Sequence, residues 1–279
     1  MTEVTVRPLR VGHCLHPQIM SIRDGSWRPT VFPALAMLIV HPVEGPILFD
    51  TGYDPAFLQA TEALPERFYR WLTPVTLSDQ EHLPKQLERL GIAAVDVRHV
   101  VLSHFHADHM AGIHAFPNAA IHCARAGLEA ACTGGRFAAV RQGVLRTLIP
   151  ADIDVRARFY EEDPRIALPP SLAPFDMGAD ILGDGSVIAV ELPGHCPGHW
   201  GIVVRDGERG DHFMVGDAAW SSDAIRRNMP APAIASGFLG NTRVGRETLG
   251  KLHSLWARNR EMTFTPCHCP ERAAEAVLP

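Results

Sequence analysis

The 279-residue chain is 46% hydrophobic and 20% charged, a composition that supports a sizeable core and excludes a disordered protein. A formal net charge of −5 and a pI near 6.3, with no basic cluster beyond short pairs such as Arg226-Arg227, exclude a surface built to grip nucleic acid. Six cysteines (Cys14, Cys123, Cys132, Cys196, Cys267 and Cys269) are scattered through a chain too long to depend on disulfides, so a reduced, cytoplasmic setting is expected.

The first segment, MTEVTVRPLRVGHCL, alternates charged and apolar residues and lacks the continuous apolar centre of a signal peptide, so export is not expected. The most apolar run, Thr30 to Val40, is well short of the roughly 20 residues a membrane helix needs and contains Pro33; it reads as a core strand, with no membrane partner. VTVRPLRVGHCL, FPALAMLIVHP and GPILFDTG are β-rich, and the turn PVEG between the last two predicts a hairpin. From Ser78, SDQEHLPKQLERLGI carries a capping box of Ser78 with Glu81, leucines at 83, 87 and 90, and Gly91 as a stop, which predicts one helix despite Pro84.

DVRHVVLS predicts a buried strand, and ADHMAGIHAF after it a short helix closed by Pro117. AAIHCA is strand-like, and GLEAACTGGRFAAVRQGVLRTLI is helical with a break at Gly134-Gly135. The proline-rich, charged stretch from Pro150 to Pro174 reads as a surface excursion and a seam between halves. Beyond it ILGDGSVIAVELPG, HWGIVVRD and DHFMVGDA are short strands joined by turn signals. A helix from about Asn241 to Arg258, a strand EMTFTP and a short helix after Pro270 complete the chain, which is expected to form one domain over 1–279 with halves of approximately 1–175 and 176–279.

The stretch SHFHADHMAG, residues 103–112, carries the chemistry. Histidines at i and i+2 with an Asp-His pair two residues on cannot share one helical face, so the motif is expected to leave a strand end as a loop with its side chains turned to a common point. Imidazole and carboxylate together make a metal site suited to Zn, Fe, Mn or Co.

H-x-H-x-D-H after an apolar strand resembles the signature of the metallo-β-lactamase fold superfamily of hydrolases. FDTG at Phe49 to Gly52, PGHCPGH at Pro193 to His199 and VGDA at Val215 to Ala218 match further motifs of that superfamily, in order along nearly the whole chain. The resemblance implies an α/β fold, a four-layer αββα sandwich with the metal site at the strand-end edge. Within the superfamily the chain is most similar to the metal-dependent lactonases that open N-acyl-homoserine lactones, the chemistry of quorum quenching. The duplicated PGHxPGH, the FPALAMLIVHPVEGPILFDTG hairpin and the histidine of PCHC carry that likeness.

The resemblance further implies two divalent metal ions per chain, zinc foremost. His104, His106 and His195 would form one site, Asp108, His109 and His268 the second, and Asp217 would bridge them. His199 would be a supporting residue, Asp50 would order the ligand loops, and Cys267 and Cys269 would be small buried residues. A metal-bridging hydroxide would attack the carbonyl, and Asp108 would return a proton to the leaving alkoxide. Lactonases of this type place a tyrosine shortly after the bridging aspartate to hold the carbonyl oxygen; here DAAW puts Trp220 there, whose indole N–H donates a hydrogen bond but cannot act as an acid.

The expected partner is a small-molecule lactone or ester, and the assembly admitted is a homodimer. Residues 53–75, with Phe57, Phe68, Tyr69 and Trp71, and the stretch IRRNMPAPAIASGFLG are candidates for an apolar cover. Two other activities fit the same signature: a thioester or phosphoester hydrolase of the glyoxalase II kind, for which the chain offers no basic glutathione-binding motif near its end, and a metal-binding sensor without turnover, which loss of a ligand would favour.

Overall fold

The computed structural model describes residues 2–232 and 240–276. Its strands are β1 (Glu3–Pro17), β2 (Pro29–His41), β3 (Gly45–Phe49), β4 (Val75–Thr76), β5 (His99–Val101), β6 (Ala120–Cys123), β7 (Ala157–Phe159), β8 (Arg165–Ala167), β9 (Met177–Asp180), β10 (Val187–Glu191), β11 (Trp200–Asp206), β12 (Gly210–Gly216) and β13 (Thr263–Pro266). β1 pairs antiparallel with β2, which makes the expected hairpin with β3 through His41↔Gly45. From β3 the sheet continues in parallel through β5, β6 and β7. In the second half β8 to β12 form an antiparallel run in chain order, and β13 adds in parallel to β12. The start of β1 joins the two sets, with Glu3 opposite Arg205 and Val4 opposite Asp206 on β11.

Alternation along the strands sorts the side chains into layers, because successive residues point to opposite faces. On β2 and β3, Met37, Ile39, Ile47 and Phe49 share a core with Val187, Ala189, Ile202, Val204 and Met214 of the other sheet. The intervening Leu38 and Leu48 face outward and pack with Leu83, Leu87, Ile113 and Leu128 from the helices of the first half. Val190, Val203, Phe213 and Val215 point the other way, onto Ile225, Leu249, Leu252 and Leu255 of the second half's helices. Three apolar interfaces therefore separate four layers, helix, sheet, sheet and helix. Among the described residues no helix is long and apolar enough to cross a membrane.

Two segments differ from their sequence patterns. The capping box of Ser78 and Glu81 forms, but it closes a 3-10 turn over Asp79–Glu81, and the α-helix starts afresh at Leu83–Arg89 with Pro84 in its first turn, where a missing N–H costs nothing. The Pro150–Pro174 stretch is more than a surface excursion: it supplies β7 and β8, and Tyr160 within it is fully buried, its hydroxyl donating to the carbonyls of Leu102 and His122 at 2.7 and 3.0 Å. One buried tyrosine among prolines and charges leaves no periodic signal.

The helix after Asn241 runs Thr242–Arg258, with the Asn241 side chain accepting from the N–H groups of Arg243 and Val244. Of the second candidate cover segment, residues 233–239 lie outside the described residues.

Candidate metal centre

The loop ends of the strands converge on one point. His104 and His106 lie in the loop that leaves β5, and Asp108 and His109 in the one-turn helix Ala107–Met110 that follows it. His195 sits in the β10–β11 loop, Asp217 directly after β12, and His268 in the turn after β13. His104, His106, His109, Asp217 and His268 are all buried, and Asp108 and His195 are half-buried beside them.

Distances divide the cluster in two. The His104 ring lies 4.3 Å from that of His106 and 4.9 Å from that of His195, centroid to centroid, and His106 Nδ1 is 3.0 Å from His195 Nε2. On the other side His268 Nε2 is 3.3 Å from Asp108 Oδ2, and His109 Nε2 is 3.7 Å from the same oxygen. Asp217 stands between: Oδ2 is 3.3 Å from His195 Nε2, and Oδ1 is 3.3 Å from His268 Nε2 and 3.5 Å from His109 Nε2.

The donors fit divalent metal ions. His104 Nε2, His109 Nε2 and Asp217 Oδ1 are buried with no hydrogen-bond partner, and burying unpaired polar atoms costs about 1–3 kcal/mol each unless something binds them. Burial holds His104 and His195 well below the ordinary imidazole value and His106 down at about 4, so these three rings are neutral, the form a metal needs. On the other side burial opposes charge on His109 and His268, but the carboxylates of Asp217 and Asp108 outweigh it and push His109 well up and His268 to about 10. The same histidines hold the Asp108 and Asp217 carboxyls below their ordinary range against burial.

A second set of residues aims these donors. Asp50 has φ +58°, a left-handed conformation that a non-glycine residue adopts at a cost of roughly 1–3 kcal/mol and that recurs at functional sites. Its carboxylate accepts from Ser103 N, Ser103 Oγ and His109 Nδ1, each at 2.8 Å, and from Cys267 Sγ at 3.3 Å. Thr51 N donates to His109 O at 2.8 Å, tying the end of the motif helix to the FDTG turn. His268 Nδ1 donates to Pro33 O at 2.7 Å, which leaves Nε2 facing the aspartates.

His199 stands apart from the donor groups. Its Nδ1 donates to Leu192 O and its Nε2 accepts from Asp217 N, both at 3.0 Å, so it positions the Asp217 turn. Cys269 Sγ contacts Ser222 N and Oγ at 3.3 and 3.2 Å, away from the donors. Arg226 pairs with Glu271, and Arg227 with Asp223 and Asp24, so both form surface ion pairs within the chain.

Two residues packed close to the donors were not legible in the sequence. Cys196, between the two PGH units, has its sulfur grouped with ligand atoms of His104, His106 and His195, all within 4.8 Å of one another. Its place directly after His195 is the signal that could have singled it out. Gly143 (φ +75°) lies against His106: a Cβ there would sit 3.0 Å from His106 Cδ2 and crowd that ring.

The centre forms the floor of a cavity of about 700 Å³, whose lining is mainly apolar and includes Tyr53, Phe68, Tyr69, Leu72, Phe137 and Trp220. Phe57 and Trp71 of the first candidate cover play other parts: Phe57 is fully buried in the core, and Trp71 is exposed, stacked edge-on against Phe68. The Trp220 ring meets His268 at 5.0 Å and Phe32 at 5.4 Å between centroids.

The layered fold and this strand-end centre define the class, and comparison with known families agrees: the profile of the metallo-beta-lactamase superfamily matches residues 29–251, and the chain belongs to that superfamily as a metal-dependent hydrolase. Its relatives include N-acyl homoserine lactonase AttM of Azorhizobium caulinodans, 30% identical over 276 residues that span 95% of this chain and 93% of that protein. AttM of Agrobacterium fabrum is 28% identical over 284 residues, 97% of this chain and 95% of that one. Among solved structures, an N-acyl homoserine lactone hydrolase with N-hexanoyl-L-homoserine bound at its catalytic metal center superposes with a TM-score of 0.73 over 100% of this chain and 98% of that chain. At 18% identity that is a likeness of fold.

Proposed function

We propose that this hydrolase is a dinuclear lactonase that opens lactone rings, N-acyl homoserine lactones among them, with His104, His106 and His195 holding one divalent ion, Asp108, His109 and His268 holding a second, and Asp217 shared between them. The observation that carries this reading is the position of Asp217, whose two oxygens face two separate donor groups. Zinc suits the mixed imidazole and carboxylate donors, and Fe, Mn and Co remain compatible. When bound, such a pair of ions supplies a Lewis acid for the carbonyl and a water acidic enough to react near neutral pH.

The chain's own residues supply the rest. Asp108, half-buried at the cavity floor with Oδ2 towards His268, is a carboxylate that can take up a proton and hand it to the departing alkoxide oxygen. Trp220 lines the cavity beside His268 and offers an apolar wall with a single N–H donor. The mainly apolar walls exclude water around the ester and favour substrates with apolar substituents. Six free cysteines fit a reducing, cytoplasmic setting.

Metal analysis of the purified protein combined with pH-stat assays on lactones, thioesters and phosphodiesters tests the proposal. Two ions per chain with lactone opening supports it. Turnover confined to thioesters or phosphodiesters replaces it with a glyoxalase II-like activity, and two ions with no turnover on any class makes the protein a metal-binding sensor.

A further inference from the structure

We propose that Tyr69 is a catalytic residue of the lactonase: its hydroxyl donates a hydrogen bond to the oxygen that leaves when the ring opens, the same oxygen to which Asp108 gives a proton. The inference deepens the lactonase reading above and rests on it.

Backbone bonds join the wall that carries Tyr69 to the rest of the cavity. Tyr69 lies in the helix Arg67–Leu72, whose end is closed by Thr73 N donating to Tyr69 O at 2.8 Å. Leu15 N on β1 then donates to Pro74 O at 3.1 Å, and Cys14 pairs with Val75 on β4. The helix is thereby held over Cys14 and His16, which line the same cavity as Asp108 and His268. The Tyr69 ring meets Phe57 edge-on at 5.5 Å, and Phe57 meets Tyr53 in the same way at 5.2 Å, so a ladder of three rings fixes the direction of the phenol.

Other hydroxyls on the lining are spent within the chain. Ser21 donates to Gln18 O at 2.9 Å, Thr248 donates to Pro193 O at 2.6 Å, and Thr73 Oγ1 is 3.2 Å from His16 Nε2. Tyr69 is half-buried and borders the cavity, and among the described residues its hydroxyl forms no hydrogen bond. Burial raises its phenol well above the usual value, and the charge of Asp108 is the next largest cause. After burial, the same carboxylate is the leading cause for Cys14 and Tyr53, so this wall stands on the Asp108 side of the centre. The Tyr69 hydroxyl therefore stays protonated there, a donor and not a base.

Asp108 can protonate only an oxygen that lies against it, which brings the leaving oxygen to the Tyr69 side of the cavity. As the carbon–oxygen bond breaks, its electron pair stays with the ring oxygen, which takes the proton held by Asp108. Tyr69 keeps its own proton and stabilises the negative charge that grows before that transfer is complete. In the ring-opened product the same oxygen is a hydroxyl, and Tyr69 continues to hold it.

Tyr69→Phe keeps the ring on Phe57 and removes the hydroxyl alone. At unchanged metal content, Y69F should lower kcat on γ-decalactone by about 10–100-fold, the loss of a hydrogen bond to a developing charge. Hydrolysis of p-nitrophenyl decanoate, whose phenolate leaves without a proton, should stay nearly unchanged. A measurement independent of turnover compares γ-hydroxydecanoate with decanoate by calorimetry. The wild type should prefer the hydroxy acid, and Y69F should lose that preference, a change of roughly 3–10-fold. Equal losses on the two esters, no loss on either, a hydroxy-acid preference that survives in Y69F, or the same pattern in Y53F overturns the role of Tyr69 and leaves the lactonase reading standing. A wild type that opens no lactone overturns both.

Discussion

Asp50 Oδ2 accepts a hydrogen bond from His109 Nδ1 at 2.8 Å, with both side chains buried. The bond fixes the imidazole so that Nε2 faces Asp108 and Asp217, 3.7 and 3.5 Å away. A residue in left-handed conformation, placed at the end of β3, thus aims a side chain 59 positions further on. Because such partners orient a ligand and raise its basicity, Asp50→Asn should weaken the second metal site by about 10–100-fold and leave the first nearly unchanged. Metal titration followed by elemental analysis checks this, and equal loss from both sites would mean that Asp50 holds the whole floor together.

His268 and Asp108 separate metal binding from proton transfer. His268→Ala should empty the second site preferentially, whereas Cys269→Ala should not, because the Cys269 sulfur is turned towards Ser222. Asp108→Asn should lower turnover by about a hundredfold or more, and most for esters with poor leaving groups, since those depend on a proton at the alkoxide. Rates on activated and unactivated esters, measured at full metal loading, distinguish the roles: equal losses would leave Asp108 with metal binding alone.

The centre was legible where its donors are close in sequence. His104, His106, Asp108 and His109 occupy six consecutive positions because one loop and one helical turn carry them, and that density exceeds what a solvated surface would show. PGHCPGH and VGDA became legible through family resemblance, since His195 and Asp217 are brought in by strands whose pairing no local pattern specifies. Gly143 could not be found this way: it closes a short helix as an ordinary stop, and its closeness to a ring 37 residues earlier leaves no local sign. Tyr160 was hidden similarly, its partners being the backbone carbonyls of His122 on β6 and of Leu102 just after β5. The alternating strand faces were the opposite case, because each strand declares its own period.

Acid should destabilise the fold through histidines remote from the centre. Burial, reinforced by His99, brings His122 down to about 3, and burial with Arg272 and Arg209 does the same for His212. Both are neutral in the folded chain and regain an ordinary value near 6.5 on unfolding, so the unfolded chain binds more protons between those limits. Their contribution is complete above about pH 6.5 and is lost as pH falls towards 3, amounting to a few kcal/mol each at most. Denaturant unfolding from pH 7 to 4 should therefore show falling stability. The double variant His122→Phe, His212→Phe should show a shallower fall whatever its stability at pH 7; an unchanged slope would assign the acid lability to other groups.

Trp220 is where this chain departs from the pattern of the homoserine lactonases it resembles. The ring is wedged edge-on between His268 and Phe32, so it fixes a wall of the cavity and steadies a proposed ligand at once. The lactonases it resembles carry a tyrosine shortly after the bridging aspartate, and a phenol can give a hydrogen bond to a carbonyl oxygen in a water-poor site. A donor of that kind is typically worth about 3 kcal/mol. Trp220→Tyr should then raise the rate on N-acyl homoserine lactones by up to about a hundredfold and act mainly on kcat, provided that metal content is unchanged. Trp220→Phe keeps the apolar wall without any donor and should leave the wild-type rate almost intact if the indole N–H contributes little. Steady-state kinetics on short- and long-chain lactones, with metal counted in each variant, tests both changes. If the wild type already cleaves long-chain homoserine lactones efficiently and Trp220→Tyr changes nothing, the carbonyl oxygen is held elsewhere on the cavity floor and the indole serves as wall alone.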